Sequence, residues 1–231
     1  MIPKILKYAA IAVGLVSVLV SIIYGNEDTR FIKPFFHLFL FGFYWLTIKK
    51  FNFLVLLFLI SAMIAEFFTA VNFEGNFRVI TTFFTIFFLL GVVLQFSVLK
   101  KTGFKDFGGQ DVLSALAAIS ILSFIIVSIF VVSNNELADF TFLSVGTLSF
   151  TAFIASCFYI SGFNKHPKKI YLFVAGACYV IVTSGALLYE LKFKSPALLG
   201  VINLSEIMAQ FSFIHFLIHK KDILTKEEWL I

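Results

Sequence analysis

Long apolar stretches alternate with short polar connections along almost the whole chain. A helix needs about 20 apolar residues to cross a bilayer, and eight stretches have about that length. They cover residues 5–24, 31–48, 51–73, 77–99, 112–133, 140–162, 170–191 and 197–218. Because the connections are short, we expect consecutive helices to run antiparallel. The pattern predicts an all-α polytopic membrane protein, a bundle of eight transmembrane helices that forms a single integral membrane domain over residues 1–231.

The composition excludes an ordinary soluble domain. Hydrophobic residues make up 60% of the chain and charged residues 13%, whereas soluble domains carry about 25% charged residues. The mean hydropathy is +1.00. The formal net charge is +5, but lysine and arginine lie at the ends of apolar stretches. Since no basic patch with interleaved aromatic residues occurs, we expect no binding of nucleic acid.

The distribution of basic residues predicts the orientation in the membrane. Thirteen of them lie in the N-terminus, the even-numbered connections and the C-terminal tail, and five lie on the opposite side, in and around the odd-numbered connections. Connections rich in lysine and arginine stay in the cytoplasm under the positive-inside rule. We therefore expect a multi-pass protein of the cell membrane with both termini cytoplasmic.

A polar stripe interrupts the last apolar stretch. At 100° per residue, Asn203, Glu206 and Gln210 lie within roughly 60° of arc on one helix face. A carboxylate near the middle of a membrane costs about 2.5–3.5 kcal/mol on insertion scales. Glu206 should therefore face the interior of the bundle and have a partner there.

Other polar side chains fall at a similar depth. At 1.5 Å per residue, His37 and Glu66 lie roughly 9–10 Å below the outer ends of their helices, and Glu206 lies about 13 Å below its own. Polar residues of the fourth and sixth spans occupy the same half, namely Thr81, Thr85, Ser144 and Thr147. The pattern predicts a polar cavity in the outer half, lined by the second, third, fourth and eighth spans, with the sixth and seventh contributing.

These residues allow a structural interpretation and a catalytic one. Serine and threonine in a span often bond to carbonyl groups of their own helix, and pairs such as Lys33–Glu66 or Glu206–His37 could simply join helices. Alternatively, two carboxyl groups and a histidine in a partly dry pocket can support acid–base hydrolysis. On that interpretation Glu66, Glu206 and His37 are the catalytic candidates. The binding candidates are Lys33, Thr69, Thr85, Asn203 and Gln210.

Metal and cofactor chemistry is not indicated. His37, Glu66 and Glu206 barely reach the three or four ligands that a zinc site needs. The chain has no Gly-x-Ser-x-Gly nucleophile elbow and no glycine-rich loop that would hold phosphates. We therefore predict neither a metal site nor a cofactor.

Three local matches carry a resemblance to a known family. Lys33-Pro34 is similar to a Lys-Pro pair at the start of the second span, and Ala209-Gln210 to an Ala-Gln pair in the last span. Ser61 to Glu66 stands where the family has a Ser…Gly-Asp motif, with Glu66 in place of the aspartate. On these residues and its eight short-looped spans, the chain resembles the YhhN-like membrane proteins, the lysoplasmalogenase family.

The chain also departs from that family. The family's histidine in the fourth span has no counterpart between Phe77 and Leu99, and its Ser-Asp pair is absent from the sixth span. Glu206 stands roughly where the family has a tyrosine. These departures favour an alternative function, a non-catalytic membrane module or sensor subunit that binds a lipid or another small molecule.

The resemblance implies hydrolysis of the vinyl-ether bond of lysoplasmalogens, which yields a fatty aldehyde and a glycerophospho-base. The partner would be a membrane lipid, a lysophospholipid that enters from the outer leaflet with its phosphate near Lys33 or Arg78. Glu66 would donate a proton, Glu206 would stabilise the cation or activate water, and His37 would tune either carboxyl group. The resemblance leaves the head group and the oligomeric state open.

Overall fold

The structure, a computed structural model, describes residues 2–102, 139–164 and 166–225. Within these ranges the chain forms helices and turns and no strand. The α-helices are α1 (Ile2–Tyr24), α2 (Lys33–Ile48), α3 (Phe53–Val71), α4 (Phe77–Lys101), α5 (Phe140–Phe163), α6 (Ile170–Leu191) and α7 (Pro196–Thr225). Short 3-10 helices at Glu27–Phe31 and Pro167–Lys169 precede α2 and α6.

Local signals set the helix boundaries. Helix α2 ends at Lys49, which adopts a left-handed conformation with φ of 56°, and left-handed residues commonly terminate helices. Helix α3 begins after Asn52, whose side chain accepts a hydrogen bond of 3.0 Å from the Leu54 amide. Pro34 and Pro196 lie in the first turns of α2 and α7. Backbone amides there have no acceptor within the helix, so the amide hydrogen that proline lacks costs no helical hydrogen bond.

Six helical segments are long and apolar enough to cross a membrane. They are Ile2–Tyr24, Phe53–Val71, Phe77–Lys101, Phe140–Phe163, Pro167–Leu191 and Pro196–Leu224. Their outward faces carry exposed apolar side chains such as Leu148 and Ile23, as expected for surfaces that contact lipid. The chain is thus a helical multi-pass membrane protein. A helix suits this environment because all of its backbone hydrogen bonds form within the segment, and lipid supplies none.

Two boundaries differ from those predicted by the apolar pattern. The predicted second span, residues 31–48, contains only the 16 residues of α2, roughly 24 Å, which is shorter than a bilayer core. The last helix continues beyond residue 218 to Thr225 because the charged residues after it extend the helix instead of ending it. The predicted fifth span, residues 112–133, lies outside the described residues, so the count of eight spans stays a prediction.

The described helices pack around α7. Helix α7 contacts α1, α2, α4 and α6, while each helix from α1 to α4 also packs against the next, and so do α5 and α6. An ion pair between Arg78 and Asp139 joins the beginnings of α4 and α5, so these two helices run parallel. The ends at which α2, α4, α5 and α7 begin therefore lie together, and we call this part of the bundle the site half.

A cluster of aromatic rings fills the middle of the bundle. Phe58, Phe87, Phe153 and Phe213, which we call the phenylalanine core, come from α3, α4, α5 and α7, and each is at most 1% exposed. The Phe58 ring centroid lies 4.2 Å from that of Phe87 and 4.9 Å from that of Phe213. The phenylalanine core forms the floor beneath the polar side chains of the site half.

Candidate functional site

A lysine and two glutamates meet in the site half. The Lys33 ammonium nitrogen, at the start of α2, lies 2.6 Å from Glu206 Oε2 on α7 and 3.9 Å from Glu66 Oε2 on α3. Both carboxyl groups are buried, and the Lys33 side chain is only 13% exposed. Three helices thus bring one cation and two acidic groups together inside the membrane domain.

His37 and Gln210 surround the Glu66 carboxyl group. His37 Nε2 lies 3.2 Å from Glu66 Oε1, and Gln210 Nε2 donates a hydrogen bond of 2.8 Å to the same oxygen. His37 Nδ1 lies 2.9 Å from the Lys33 carbonyl oxygen. We call Lys33, His37, Glu66 and Glu206 the charged cluster.

The geometry of His37 indicates where a proton lies. A carbonyl oxygen only accepts hydrogen bonds, so His37 Nδ1 must carry a hydrogen to bond to the Lys33 carbonyl. His37 Nε2 makes no hydrogen bond within the described residues, and a hydrogen bond between it and the nearby Glu66 carboxyl group would require one more proton, on either the imidazole or the carboxyl group. His37 and Glu66 therefore form a pair that can share a proton.

The same proton balances the charge of the cluster. Two ionised carboxylates against the single Lys33 ammonium would leave a net negative charge, and an uncompensated buried charge is costly. One additional proton, carried by His37 or by either carboxyl group, makes the cluster neutral. The cluster then holds one proton donor beside at least one ionised carboxylate.

Two cavities meet at the charged cluster. The apolar cavity, of about 120 Å³, is lined mainly by hydrocarbon, including Phe84, Phe88 and Phe150. The polar cavity, of about 70 Å³, also exposes mostly hydrocarbon, but it is named for the polar residues in its lining, namely Asn26, Lys33, Thr69, Tyr189, Glu190 and Asn203. Glu66 and Glu206 line both cavities. The two carboxyl groups thus lie where the two cavities join.

The structure brings most of the predicted site residues together. Thr69 and Asn203 line the polar cavity, although each side chain also donates to a carbonyl of its own helix, at 2.8 Å and 3.0 Å. Gln210 lines the apolar cavity. Thr85 lies apart from both linings, beside Gly146 where α4 packs against α5. The expected polar cavity is the smaller one, and the larger one is apolar because α4 and α5 direct phenylalanines into it.

The pairing within the cluster differs from the pairs considered from the sequence. Lys33 is closer to Glu206 than to Glu66, and His37 contacts Glu66 rather than Glu206. Arg78, one of the two residues expected near a lipid phosphate, forms an exposed ion pair with Asp139. Helix periodicity gives the depth of a side chain but not which neighbour it faces, so these partners depended on the packing.

Tyr179 is a polar residue of the site that is missing from the sequence-derived candidates. It lies on α6, is 3% exposed and lines the apolar cavity. The carboxyl groups of Glu206 and Glu66 are near enough to act on its hydroxyl group electrostatically. A usable signal was present in the sequence, because Tyr179 and Thr183 are one helical turn apart and both line this cavity.

Comparisons of the chain with models of known protein families, with curated proteins and with solved structures found no match. The resemblance to the lysoplasmalogenase family therefore stays a prediction from the quoted residues. Within the described residues, no group of three or more histidine, cysteine, aspartate or glutamate side chains could hold a metal ion. The charged cluster contains groups that can take part in acid–base chemistry.

Proposed function

We propose that this chain is a YhhN-like membrane hydrolase that cleaves the vinyl-ether bond of single-chain lysolipids. The observation that carries the proposal is the position of Glu66 and Glu206 at the junction of an apolar and a polar cavity. A lysolipid has the same two-part character, with a hydrocarbon chain joined to a polar glycerophosphate head. Its vinyl-ether bond lies at the boundary between the two parts, which would place that bond beside the carboxyl groups.

The chemistry follows from the reactivity of a vinyl ether. Glu66, in contact with His37 at 3.2 Å, donates a proton to the carbon one bond away from the ether carbon. The oxocarbenium ion that forms is stabilised by the Glu206 carboxylate, which also accepts a proton from the attacking water. The hemiacetal then breaks down to a fatty aldehyde and a free alcohol. The proton that Glu206 accepted from water passes to Glu66, which restores both carboxyl groups.

Lys33 is assigned an electrostatic role in this reaction. Its ammonium group lies 2.6 Å from the Glu206 carboxyl group, and an adjacent positive charge favours the ionised form of a carboxyl group. The lipid phosphate would remain in the polar cavity, which Lys33 also lines.

The proposal includes the topology predicted from the apolar pattern, eight spans with both termini in the cytoplasm. The parallel run of α4 and α5, joined at their beginnings by Arg78 and Asp139, supports one further crossing between them. The basic residues concentrated at the other end of the bundle support a site half that faces the outside of the cell. A lipid of the outer leaflet would then reach the site laterally.

The test is aldehyde release by purified protein in detergent micelles. Wild-type protein should release fatty aldehyde from a vinyl-ether lysolipid and none from the matching ester lysolipid. Glu66→Gln and Glu206→Gln should each lower the rate at least about 100-fold, because each removes an acid–base group. Glu74→Gln is the matched control, an exposed glutamate at the same end of the bundle, and should keep full activity. Full activity in both cluster variants, or no aldehyde from the wild type, would exclude this reaction.

A second function is a lipid-binding module without turnover. The observation that favours it is that Lys33 pairs with Glu206, that Gln210 donates a hydrogen bond to Glu66 and that His37 lies 3.2 Å from Glu66, an arrangement that also suits a purely structural cluster. Intact lysolipid that co-purifies with the protein and yields no aldehyde on incubation would support this function over hydrolysis. Mass spectrometry of lipid extracted from the purified protein distinguishes the two.

A further inference from the structure

Three buried polar atoms on residues that line the apolar cavity have no hydrogen-bond partner in the described part of the chain. One is Oε2 of Glu66, which lies 3.9 Å from the Lys33 ammonium nitrogen. The other two are the hydroxyl oxygen of Tyr179 and the side-chain oxygen Oε1 of Gln210. Both residues line this cavity, and they are 3% and 1% exposed. Buried polar groups in folded proteins nearly always have a partner, so two unpaired atoms on residues that line the same cavity point to a ligand group that bonds to them.

The surroundings of Tyr179 hold its hydroxyl group in place. Its ring packs edge-on against the rings of Phe87, Phe88 and Phe153, with centroids 5.5, 6.3 and 5.4 Å away. These rings offer no acceptor that the hydroxyl could use instead. The Gln210 side chain is also held in place, because its nitrogen Nε2 donates a hydrogen bond of 2.8 Å to Glu66 Oε1. The amide oxygen Oε1 of Gln210 takes no part in that bond.

We infer that Tyr179 and Gln210 bind a free hydroxyl group of the ligand. A ligand hydroxyl can donate to Gln210 Oε1, which only accepts, and accept from the Tyr179 hydroxyl group. An ether or ester oxygen at the same place lacks the hydrogen and satisfies one of the two atoms at most. The two residues therefore select a single-chain lipid with an unsubstituted hydroxyl next to its head group. This inference rests on the proposed function for the class of ligand, but it concerns binding and not turnover.

The experiment measures binding of two probes that the proposed reaction cannot cleave. One is a saturated 1-alkyl glycerophosphocholine with a free hydroxyl on the central carbon, and the other is its 2-deoxy counterpart. In detergent micelles, wild-type protein should bind the hydroxyl probe about 3- to 10-fold more tightly, the range of one or two net hydrogen bonds. Tyr179→Phe should reduce this preference to about 1- to 2-fold.

Tyr171→Phe serves as the matched control. Tyr171 lies at the beginning of the same helix, away from the site half, and its ring stacks on His215 with centroids 5.4 Å apart. Its substitution should leave the preference unchanged. Equal binding of both probes by the wild type, binding of neither, or a preference kept in Tyr179→Phe would overturn the inference. The wild-type comparison needs no variant, so poor folding of Tyr179→Phe does not weaken it. A preference without any aldehyde release would contradict the hydrolase alone, and release without a preference would contradict only the hydroxyl site.

Discussion

Phenylalanine rings pack against one another in the phenylalanine core, whereas in the site half they line a cavity. In the phenylalanine core, Phe58 and Phe153 are fully buried and surrounded by other rings. In the site half, Phe84 and Phe88 form the wall of the apolar cavity. The difference lies in the residues opposite them. Each helix of the core supplies a ring, whereas the lining of the cavity also includes several small side chains, namely Ala62, Gly146, Thr147, Thr183 and Ala186.

This comparison shows how a cavity arises without any unusual helix. Small residues on neighbouring helices at the same depth leave a volume that the phenylalanines opposite them do not fill. Close packing is the normal state of a protein interior, so an unfilled volume beside a charged cluster is a candidate binding site. The phenylalanine content of 33 residues would have been compatible with either arrangement.

The largest expected effect comes from removing a ring of the phenylalanine core. Phe58→Ala should lower the free energy of unfolding by about 5 kcal/mol, the top of the range for such truncations, because rigid rings on several sides cannot close the void. Phe84→Ala should cost less than half as much, since its ring already borders open space. Denaturation in mixed detergent micelles measures both. Equal losses would contradict the distinction between core and cavity wall.

Removing the cation of the charged cluster comes next. Lys33→Met leaves two buried carboxyl groups without their partner and should cost about 3 kcal/mol, the lower end for a broken buried ion pair, because the polar cavity can admit water. Adding Glu206→Gln to Lys33→Met should restore at least half of the loss, since it removes the unpaired charge. Lys50→Met, at an exposed position, is the control and should change stability by under about 0.5 kcal/mol. A double variant no more stable than Lys33→Met would contradict the charge-balance argument.

The smallest effect concerns the approach of α4 and α5 beside the phenylalanine core. A methyl group on Gly91 would collide with the Phe153 ring, so Gly91→Ala should cost about 1–3 kcal/mol through overpacking. Gly162→Ala on α5 is the control, because open space surrounds that position. Thermal melting in detergent should show a lower melting temperature for Gly91→Ala alone. Similar melting temperatures for the two variants would show that α4 can move away from α5 at little cost.

Much of the candidate site was predictable because depth along a membrane helix is a one-dimensional property. Counting residues from the helix ends placed Glu66, Glu206 and His37 at one level, and the structure brings these three side chains together. The polar stripe of Asn203, Glu206 and Gln210 likewise followed from helical periodicity, and all three are buried. Their catalytic and binding roles stay predictions.

Other features required the packing of the helices. Which carboxyl group Lys33 would face depends on how far α2 and α7 rotate about their axes, and that rotation is set by all the side chains in contact. Thr85 shares its depth with the cluster but points to the α4–α5 contact. Tyr179 became a site candidate only through the packing, because the sequence does not show that its hydroxyl group is buried and unpaired.

The sequence by itself determined that this chain is helical and membrane-embedded and that its polar side chains converge at one depth. These properties follow from the spacing and composition of local segments, because lipid requires each helix to satisfy its own backbone. Only the tertiary structure decided that the cluster lies between an apolar and a polar cavity, and which atoms there lack partners. A cavity is the volume that several helices leave unfilled together, so no single segment encodes it.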